Sequence, residues 1–342
     1  MTQYRLALIG FGNVGRALVR LLERKKAELA ADYQITFLIT AIATGRHGAA
    51  IDPNGINPDL ALQKFEAGGM LDDLSTQPAP RDMLAFIKAC PADVLFENSP
   101  VNYETGEPAA SHLRAGLENG MHVITANKGP VVHAYHYLRD LAKSKGRGFF
   151  YESTVMDGAP IFSLFRGALP AAHLVAFRGI LNSTTNLILS RMENGESFED
   201  AVRYAQSIGI AETDPSGDID GWDAAVKIAA LVTVLMDTPF KAQQVDRTGI
   251  RGLTPADLQA ALKDGERWKL VCAARRDQTG SIQARVAPER IKPTSPLYSV
   301  DGTTSIVEFE TDVLGKLSII ETDPGPETTA YGLLADFIHA VK

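Results

Sequence analysis

Cysteine, clustered basic residues and long apolar runs are all scarce in this sequence. Its two cysteines, Cys90 and Cys272, form neither a CxxC pair nor the spaced set of a disulfide framework. We therefore interpret both as packing residues of a protein in a reducing compartment. No apolar run approaches the ~20 residues of a membrane-spanning helix, so we expect no membrane partner.

Signals for metals, nucleic acids and export are also missing. The seven histidines form no HxxxH or HExxH pair, so we expect no catalytic metal. The net charge is -7 and no Lys/Arg cluster could follow a phosphate backbone, which argues against a nucleic-acid partner and favours a small-molecule substrate. The N-terminus enters a strand pattern without a signal-like leader, so we place the protein in the cytoplasm.

The apolar pattern of the first half predicts an α/β fold. A chain of 342 residues exceeds the size of one hydrophobic core, roughly 250 to 300 residues, so two domains are expected. Strands are predicted at Arg5–Ile9, Ile35–Ala43, Val94–Phe96, His122–Thr125 and Gly148–Tyr151, and helices at Asn13–Lys25, Ala109–Glu118 and Ala134–Ser144. This alternation predicts a doubly wound parallel sheet, a Rossmann domain, over residues 1–151.

In the second half, the predicted helices and strands no longer alternate. Helices are predicted at Asn186–Met192, Phe198–Ile208 and Ala224–Leu235, and strands at Ile282–Val286 and Thr304–Glu310. We predict a mixed α+β domain over residues 152–326 that binds the substrate. A last amphipathic helix, within about 327–342, is expected to pack back on the first domain.

A glycine-rich motif follows the first predicted strand and precedes the first predicted helix. It consists of Gly10, Phe11, Gly12, Asn13, Val14 and Gly15, which spell GxGxxG. The first glycine permits a tight turn, the second lets a pyrophosphate approach the backbone, and the third lets the helix pack closely. The motif therefore predicts a dinucleotide cofactor at the helix N-terminus.

The end of the second strand bears on the choice of cofactor. An acidic residue there would bind the ribose hydroxyls of NAD, but the sequence has Thr44, Gly45, Arg46 and His47. A hydroxyl and a guanidinium suit a 2′-phosphate. We therefore predict that NADP is preferred over NAD, with Thr44 and Arg46 at the adenosine end and His47 as a further candidate there.

Acidic residues crowd the segment before the third helix of the second half. Glu212, Asp214, Asp218, Asp220 and Asp223 are followed by Lys227. Asp223 and Lys227 are four residues apart, so they share a helix face, and apolar neighbours predict that this helix is mostly buried. Lys128 follows the strand His122–Thr125, at the edge of the sheet where substrates bind. An ammonium near a carbonyl can stabilise the alkoxide formed as hydride arrives.

Several separated motifs resemble the homoserine dehydrogenases, which interconvert L-aspartate 4-semialdehyde and L-homoserine. The resemblance rests on the glycine motif, SPVNYETGEP at 99–108, TANKGP at 125–130, GILNSTTN at 179–186, the block ending at Lys227, PLYSVDG at 296–302 and VLGKLSII at 313–320. It implies that Lys128 and Lys227 lie near the reacting oxygen, with Asp223 orienting Lys227 or a water.

The same resemblance implies further site residues. Glu212 and Asp218 would receive the substrate ammonium, Thr184 would lie beside substrate and nicotinamide, and Ser99 and Pro100 would lie at the cofactor. It also implies a homodimer formed through the second domain, and the absence of the threonine-binding regulatory domain of larger members. The family's role in threonine and methionine biosynthesis is implied as well.

Three departures from the family pattern affect these expectations. Ser183 replaces the usual glycine of GILNGTTN, close to the expected meeting point of nicotinamide and substrate. The family's monovalent-cation segment matches residues 152–160, where Met156 and Asp157 replace small residues; Glu152, Val155 and Asp157 are candidate ligands for Na⁺ or K⁺. A glycine-rich stretch is replaced at 321–326.

These departures leave two alternatives open. One is a related NAD(P)-dependent oxidoreductase acting on another hydroxy or oxo acid, which a substrate panel would distinguish. The other is a non-catalytic NADP-binding sensor, although a sensor would need neither lysine nor Asp223. A thioester-forming aldehyde dehydrogenase is disfavoured because no activating base flanks either cysteine.

Overall fold

The computed structural model describes all 342 residues, Met1–Lys342, and they divide into two compact units. Unit 1 comprises Met1–Pro160 and Gly325–Lys342, and unit 2 comprises Ile161–Pro324. The division differs from the predicted boundary after residue 151, because residues 152–160 group with unit 1. The backbone N–H of Glu152 donates to Asp336 (2.7 Å) and the Ser153 hydroxyl to the Thr329 carbonyl (2.7 Å), which ties this segment to the C-terminal helix.

Unit 1 alternates strands with helices. Its strands are β1 (Thr2–Ile9), β2 (Ile35–Ala43), β3 (Ala49–Ile51), β4 (Val94–Glu97), β5 (His122–Thr125) and β6 (Phe149–Phe150). Its helices are α1 (Asn13–Tyr33), α2 (Pro58–Glu66), α3 (Met83–Ala89), α4 (Ala109–Glu118), α5 (Lys128–Ser144) and α11 (Pro326–Val341).

The sheet of unit 1 has the order β3-β2-β1-β4-β5-β6. All pairings are parallel except that of β2 with β3. The chain order reverses between β1 and β4, which places the crevice for a ligand at the carboxyl ends of these two strands. The prediction of a doubly wound Rossmann-type sheet is confirmed.

The apolar face of α1 explains how this unit is stabilised. Leu18 and Leu22 are fully buried together with Leu333 and Phe337 of α11 in one hydrophobic cluster. The Tyr4 hydroxyl also donates to the Val341 carbonyl (3.2 Å). Helix α11 therefore packs within unit 1.

Unit 2 is a mixed α+β structure. Its strands are β7 (Leu174–Ile180), β8 (Asp246–Arg247), β9 (Arg267–Arg276), β10 (Ile282–Ile291), β11 (Ser305–Thr311) and β12 (Gly315–Glu321). Its helices are α6 (Ser183–Glu193), α7 (Phe198–Ser207), α8 (Ser216–Ile219), α9 (Trp222–Leu235) and α10 (Pro255–Lys263). In neither unit does a helix have both the length and the apolar character needed to cross a membrane.

The sheet of unit 2 has the order β12-β11-β7-β9-β10-β8. Its pairings are antiparallel apart from β8 with β10. Buried Ile180, Val271 and Ile306 from neighbouring strands contribute to its core. This mixed sheet with helices confirms the predicted α+β class of the second half.

Several elements were predicted incompletely. The pattern missed the strands β3, β7, β8, β9 and β12 and the helices α2, α3, α8 and α10, and the fifth helix begins at Lys128 rather than near Ala134. Pro130 does not prevent this early start, because first-turn residues need no intrahelical N–H bond. The apolar pattern did not predict strand β9, because Lys269, which is fully buried, interrupts its apolar run.

Candidate active site

The glycine motif of unit 1 forms a tight turn at the carboxyl end of β1. Gly10 has a φ of +89°, and a Cβ there would lie 2.3 Å from the Asn98 carbonyl oxygen. A Cβ on Gly15 would lie 2.4 Å from the Gly10 carbonyl oxygen, whereas one on Gly12 would meet no atom within 4 Å. Two glycines thus serve the packing of the turn, and Gly12 faces open space.

The N-terminus of α1 suits an anion. Gly12 is its N-cap, no side chain caps the helix, and its first turn holds no acidic residue. Unpaired backbone N–H groups and the helix dipole favour a phosphate at such a position. Beside Gly10, both polar side-chain atoms of Asn98 are buried without a partner in the chain. These features fit a dinucleotide in the β1/β4 crevice.

The loop after β2 holds the residues predicted at the adenosine end. The Thr44 hydroxyl donates to the Gly48 carbonyl (3.1 Å) and accepts from the His47 backbone N–H (2.7 Å). Arg46 is exposed at the loop tip. The Asp72 carboxylate lies so close that a Cβ on Gly48 would meet its Oδ2 at 1.7 Å. The loop therefore combines an exposed guanidinium with a nearby carboxylate.

Glu97, at the end of β4, is the centre of a buried hydrogen-bond network. Its side chain is fully buried and accepts from the Ser99 backbone N–H (3.2 Å) and the Ser99 hydroxyl. His112 Nδ1 lies 3.3 Å from the same carboxylate, and the Thr125 hydroxyl donates to the Glu97 carbonyl (2.8 Å). This network fixes the loop that carries Ser99. The sequence analysis missed Glu97.

Asn127 links that loop to the start of α5. Its side-chain amide donates to the Ser99 carbonyl (3.0 Å) and, at 3.4 Å, to that of Pro100, while its Oδ1 accepts from the Gly129 N–H (3.0 Å). Asn127 is thus the N-cap of the helix whose first residue is Lys128. One buried amide thus holds Ser99, Pro100 and the start of the helix that carries Lys128, and the sequence analysis quoted Asn127 only within a motif.

In unit 2, Asn182 bridges two carboxylates. Its Nδ2 donates to Asp218 Oδ1 (2.6 Å) and to Asp223 Oδ2 (3.0 Å). Its Oδ1 accepts from the Thr185 backbone N–H (2.8 Å), so Asn182 also caps α6. One buried side chain therefore sets the positions of both acidic groups, and the sequence analysis gave it no role.

Lys227 is held between two acceptors on the same side of unit 2. Its Nζ lies 3.0 Å from Asp223 Oδ2, one turn earlier on α9, and donates to the Leu181 carbonyl (2.5 Å). The two charged side chains are 14% and 12% exposed, so water screens this pair far less than a surface pair. The predicted pairing of Asp223 with Lys227 on one largely buried helix face matches this geometry.

The electrostatics of the cluster single out Asp218. Burial, and then the negative charge of Asp223, raise the pKa of Asp218 above its ordinary value; hydrogen bonds from Asn182 and Thr184 and the charge of Lys227 oppose that rise. Two carboxylates joined by one amide repel each other, and a bound cation would relieve this repulsion. The arrangement is suited to receive an ammonium group.

The remaining residues predicted for the substrate lie around this cluster or on the segment leading to it. The Thr184 hydroxyl donates to the Ile210 carbonyl (3.3 Å). The Ser183 hydroxyl, which follows the Asn182 cap, lies 3.4 Å from that of Ser305. The side chain of Glu212 is exposed, and its backbone carbonyl accepts from the Gln206 amide (3.1 Å).

The PLYSVDG segment is tied to α6 and β9. The Asn186 amide donates to the Gly302 carbonyl (3.0 Å), and Lys269 Nζ donates to the Val300 carbonyl (2.5 Å). Burial lowers the pKa of Lys269 to about 8. These contacts hold the loop that leads into Ser305, next to Ser183.

The candidate cation segment of unit 1 has a distinctive backbone. Asp157 adopts a φ of +37°, and its Oδ2 accepts from the Thr328 hydroxyl (3.0 Å) near the start of α11. No group of three or more His, Cys, Asp or Glu side chains is arranged to hold a metal ion. Asp157 therefore has a structural contact within unit 1.

Both cysteines are buried and unpaired. Burial raises the pKa of each thiol to about 12. Since the thiolate is the nucleophile, neither cysteine is poised for thioester chemistry. This agrees with the packing role predicted for Cys90 and Cys272.

Comparison with known families covers nearly the whole chain. Residues 10–152 match the family model described as homoserine dehydrogenase, NAD binding domain. Residues 160–338 match the model described as homoserine dehydrogenase. The first match falls within unit 1, and the second covers unit 2 together with most of α11.

Individual relatives agree with the family models. An NAD(+)-dependent homoserine dehydrogenase of Pseudomonas canavaninivorans is 36% identical over 99% of this chain and 96% of its own length. A homoserine dehydrogenase of Methanocaldococcus jannaschii is 36% identical over 98% and 97%. The crystal structure of homoserine dehydrogenase from Thermoplasma acidophilum superposes with a TM-score of 0.83 at 26% identity, covering 99% of both chains.

Proposed function

Because the chain belongs to the homoserine dehydrogenase family, we propose that Asn182, Asp218, Asp223 and Lys227 form its substrate-handling cluster in the interconversion of L-homoserine and L-aspartate 4-semialdehyde. The observation that supports these roles is the bridging of both carboxylates by Asn182, with Lys227 held against Asp223. The largely buried ammonium of Lys227 suits the reacting oxygen of the substrate. The carboxylate of Asp218 suits the substrate's ammonium group.

Lys227 would stabilise charge on the reacting oxygen. An ammonium has three N–H donors; the Leu181 carbonyl takes one and Asp223 another, which leaves a third for the substrate oxygen. A fixed donor in a poorly solvated site stabilises a developing alkoxide without reorganising. Lys128, at the start of α5, is the second proposed donor.

Asp218 would bind the substrate ammonium, with Glu212 assisting from the same segment. The ammonium would counter the repulsion between Asp218 and Asp223 and form charge-assisted hydrogen bonds. The neighbouring Thr184 hydroxyl opposes the rise in the pKa of Asp218, so it would help to keep the carboxylate ionised. Ser183 would line the same turn.

The residues of unit 1 fit a nicotinamide dinucleotide. The open face of Gly12, the uncapped start of α1 and the orphaned amide of Asn98 support this assignment. Such a cofactor, when bound, supplies the acceptor for the hydride of homoserine. Phe11, Asn13 and Val14 would line the phosphates with the glycines, and the Glu97 network would hold Ser99 and Pro100 in place.

The direct test is oxidation of L-homoserine at alkaline pH, followed by absorbance of the reduced cofactor. Other hydroxy acids are assayed in parallel. We expect turnover of homoserine above all other substrates. Turnover of a different hydroxy acid alone would instead indicate that Ser183, Met156 and Asp157 mark a changed pocket.

The raised pKa of Asp218 predicts a pH dependence. Only the ionised carboxylate attracts the substrate ammonium, so kcat/KM for homoserine should fall as pH decreases through that raised pKa. Because saturating substrate offsets weaker binding, kcat should fall less. We expect Asp218→Asn to have a low kcat/KM without this acidic limb, and Asp277→Asn, an exposed turn variant, to keep the wild-type profile. An unchanged limb in Asp218→Asn would refute the assignment.

We also propose that NADP is preferred over NAD, with the exposed Arg46 facing a 2′-phosphate and Thr44 and His47 shaping the loop. Two observations favour NAD instead. The Asp72 carboxylate lies beside Gly48, and one relative is named NAD(+)-dependent. The cofactor preference therefore depends on whether Arg46 attracts the 2′-phosphate more strongly than Asp72 repels it.

Comparison of kcat/KM for the two cofactors decides this balance. We expect a preference for NADP that falls about 10- to 100-fold in Arg46→Ala, since a charge-assisted contact contributes roughly 1.5 to 3 kcal/mol. Arg24→Ala, on α1, is the control and should leave the ratio unchanged. An NAD preference of tenfold or more in the wild type would contradict the proposal, and Asp72→Asn should then shift the ratio toward NADP.

We propose further that the protein is a homodimer formed through unit 2. One face of its sheet carries an open groove of about 600 Å³ lined by charged residues that include Arg178, Arg275, Glu308 and Glu310. Its charges of both signs are paired within the chain, as Arg275 is with Glu310, and a second copy could exchange such pairs with it. Light scattering should give twice the chain mass of 36.9 kDa, and a monomer at micromolar concentration would refute the proposal.

A monovalent cation at residues 152–160 is the last element of the proposal. The candidate ligands are Glu152, Val155 and Asp157, with backbone carbonyls contributing oxygen atoms. Na⁺ and K⁺ accept such oxygen ligands. Activity that is unchanged when Na⁺ and K⁺ are replaced by a large organic cation would contradict it.

A further inference from the structure

The acidic cluster of unit 2 depends on a short, irregular stretch of chain. Asp218 lies on α8, which has four residues, and Asp223 lies at the start of α9. Gly221, with a φ of +80°, makes the turn between these helices. A four-residue helix is unstable by itself because helix nucleation is costly. The positions of the two carboxylates therefore require support for the backbone in addition to the hydrogen bonds that Asn182 donates to their side chains.

The segment Asp246–Arg251 supplies that support through the backbone. The Ile250 N–H donates to the Ile219 carbonyl (2.9 Å), and the Arg247 guanidinium donates to the Asp220 carbonyl. A Cβ on Gly249 would lie 2.2 Å from the Ile219 carbonyl oxygen and 2.6 Å from the Asp220 Cα. The two stretches thus touch backbone to backbone.

Side chains of the same segment hold the turn from outside. Arg251 donates to both oxygens of Asp220, from Nε to Oδ1 (3.0 Å) and from Nη2 to Oδ2 (3.2 Å). The Arg247 guanidinium lies over the Trp222 ring, 3.8 Å from its centroid. A bidentate fork fixes orientation as well as distance. The fork from Arg251 therefore holds Asp220, and with it the turn, in one orientation.

The segment is itself anchored to the sheet. Strand β8 pairs with β10, and the Thr248 N–H donates to the Val286 carbonyl (2.8 Å). Ile250 is fully buried. The support for the acidic turn is therefore continuous with the core of unit 2.

We infer that the segment Asp246–Arg251 is a clamp that sets the substrate affinity of the acidic cluster, with Arg251 as a positioning residue. The inference rests on the proposed substrate role of Asp218. Arg251 touches neither Asp218 nor Asp223 in its fork, and acts on them through Asp220, which lies between them in the chain. Misplacing a binding carboxylate by a fraction of an ångström weakens substrate binding while the cofactor site stays as it is.

Steady-state kinetics of Arg251→Ala test the clamp. We expect KM for homoserine to rise about tenfold, because a displaced Asp218 carboxylate is no longer oriented toward the substrate. The kcat should change less than threefold, and the cofactor dissociation constant should be unchanged. Arg251→Lys, which retains the charge but not the fork, should restore part of the affinity. The melting temperature should change little, since the Arg251 and Asp220 side chains are 60% and 37% exposed.

Arg5→Ala is the matched control. Arg5 forms the same fork with Asp93, with side chains 48% and 36% exposed, in unit 1. It should leave KM for homoserine unchanged. Asp220→Ala should reproduce the Arg251→Ala effect, and the double variant should be no worse than either single variant.

The outcomes separate this inference from the proposed function. Absence of homoserine turnover by the wild type would overturn the proposed function. Turnover by the wild type combined with an unchanged KM in Arg251→Ala would overturn the clamp alone. A fall in melting temperature with equal losses for homoserine and cofactor would also overturn it, because that pattern indicates general destabilisation.

Discussion

Lys227→Ala should lower kcat for homoserine oxidation by about 10³-fold, since removing one fixed donor to a developing oxyanion typically costs 10² to 10³ and Asp223 also loses its cationic partner. The Lys227 Nζ is held by Asp223 and by the Leu181 carbonyl, so no other side chain can take its position without moving. The cofactor should still bind, because its proposed residues belong to the glycine motif of unit 1. Stopped-flow hydride transfer and cofactor fluorescence titration measure the two effects separately.

Lys25→Ala provides the comparison for this variant. Lys25 is also a helical lysine paired with a carboxylate, Glu28, but these side chains are 42% and 49% exposed. Its removal should leave kcat within twofold. Lys227→Arg should recover little activity, because a planar guanidinium cannot occupy the place of a compact ammonium. Wild-type turnover in Lys227→Ala would assign the reacting oxygen to Lys128 instead.

The sequence predicted those parts of the site whose chemistry is local in the chain. The glycine motif depends on six consecutive residues flanked by a strand and a helix. The pairing of Asp223 with Lys227 depends on one helical turn. In both cases the periodicity of a single element places the groups together, so no tertiary information was needed.

Contacts between distant segments could not be predicted in this way. Asn182 donates to Asp218 and Asp223, which lie 36 and 41 residues further along the chain. Gly249 packs against the backbone of Ile219, at the turn that follows α8. Each of these residues has an ordinary local role as well, as a helix cap or a loop glycine. Only the folded chain shows that an amide joins two carboxylates.

The prediction of the fold was likewise limited to elements that show a clear local pattern. Parallel strands buried on both faces give continuous apolar runs, which is why β2, β4 and β5 were found. Strands of the second sheet carry buried polar groups, such as Lys269 in β9, and those interrupt the pattern. Unit 1 extends beyond the predicted boundary at residue 151 because the backbone of Glu152 and the side chain of Ser153 bond to α11, which follows far along the chain.

Asn182→Asp should lower kcat/KM for homoserine by about 100-fold while keeping α6 capped, because Asp and Asn are equally good N-caps but only Asn can donate to both carboxylates. A third carboxylate would add repulsion to a pair that already raises the pKa of Asp218. The acidic limb of the kcat/KM profile should therefore move to higher pH. Cofactor affinity should be unchanged.

The cap and the bridge are separated by a second pair of variants. Asn57 caps α2 in the same manner, accepting from the Leu60 N–H (3.0 Å), and belongs to no proposed site. Asn57→Ala should cost about 1 kcal/mol of stability with no change in kcat. Asn182→Ala should lose similar cap stability and also the hydrogen bonds to two carboxylates, roughly 1.5 to 3 kcal/mol each. If Asn182→Asp had wild-type kinetics and only Asn182→Ala were impaired, Asn182 would be a cap alone, and the two carboxylates would hold their positions without it.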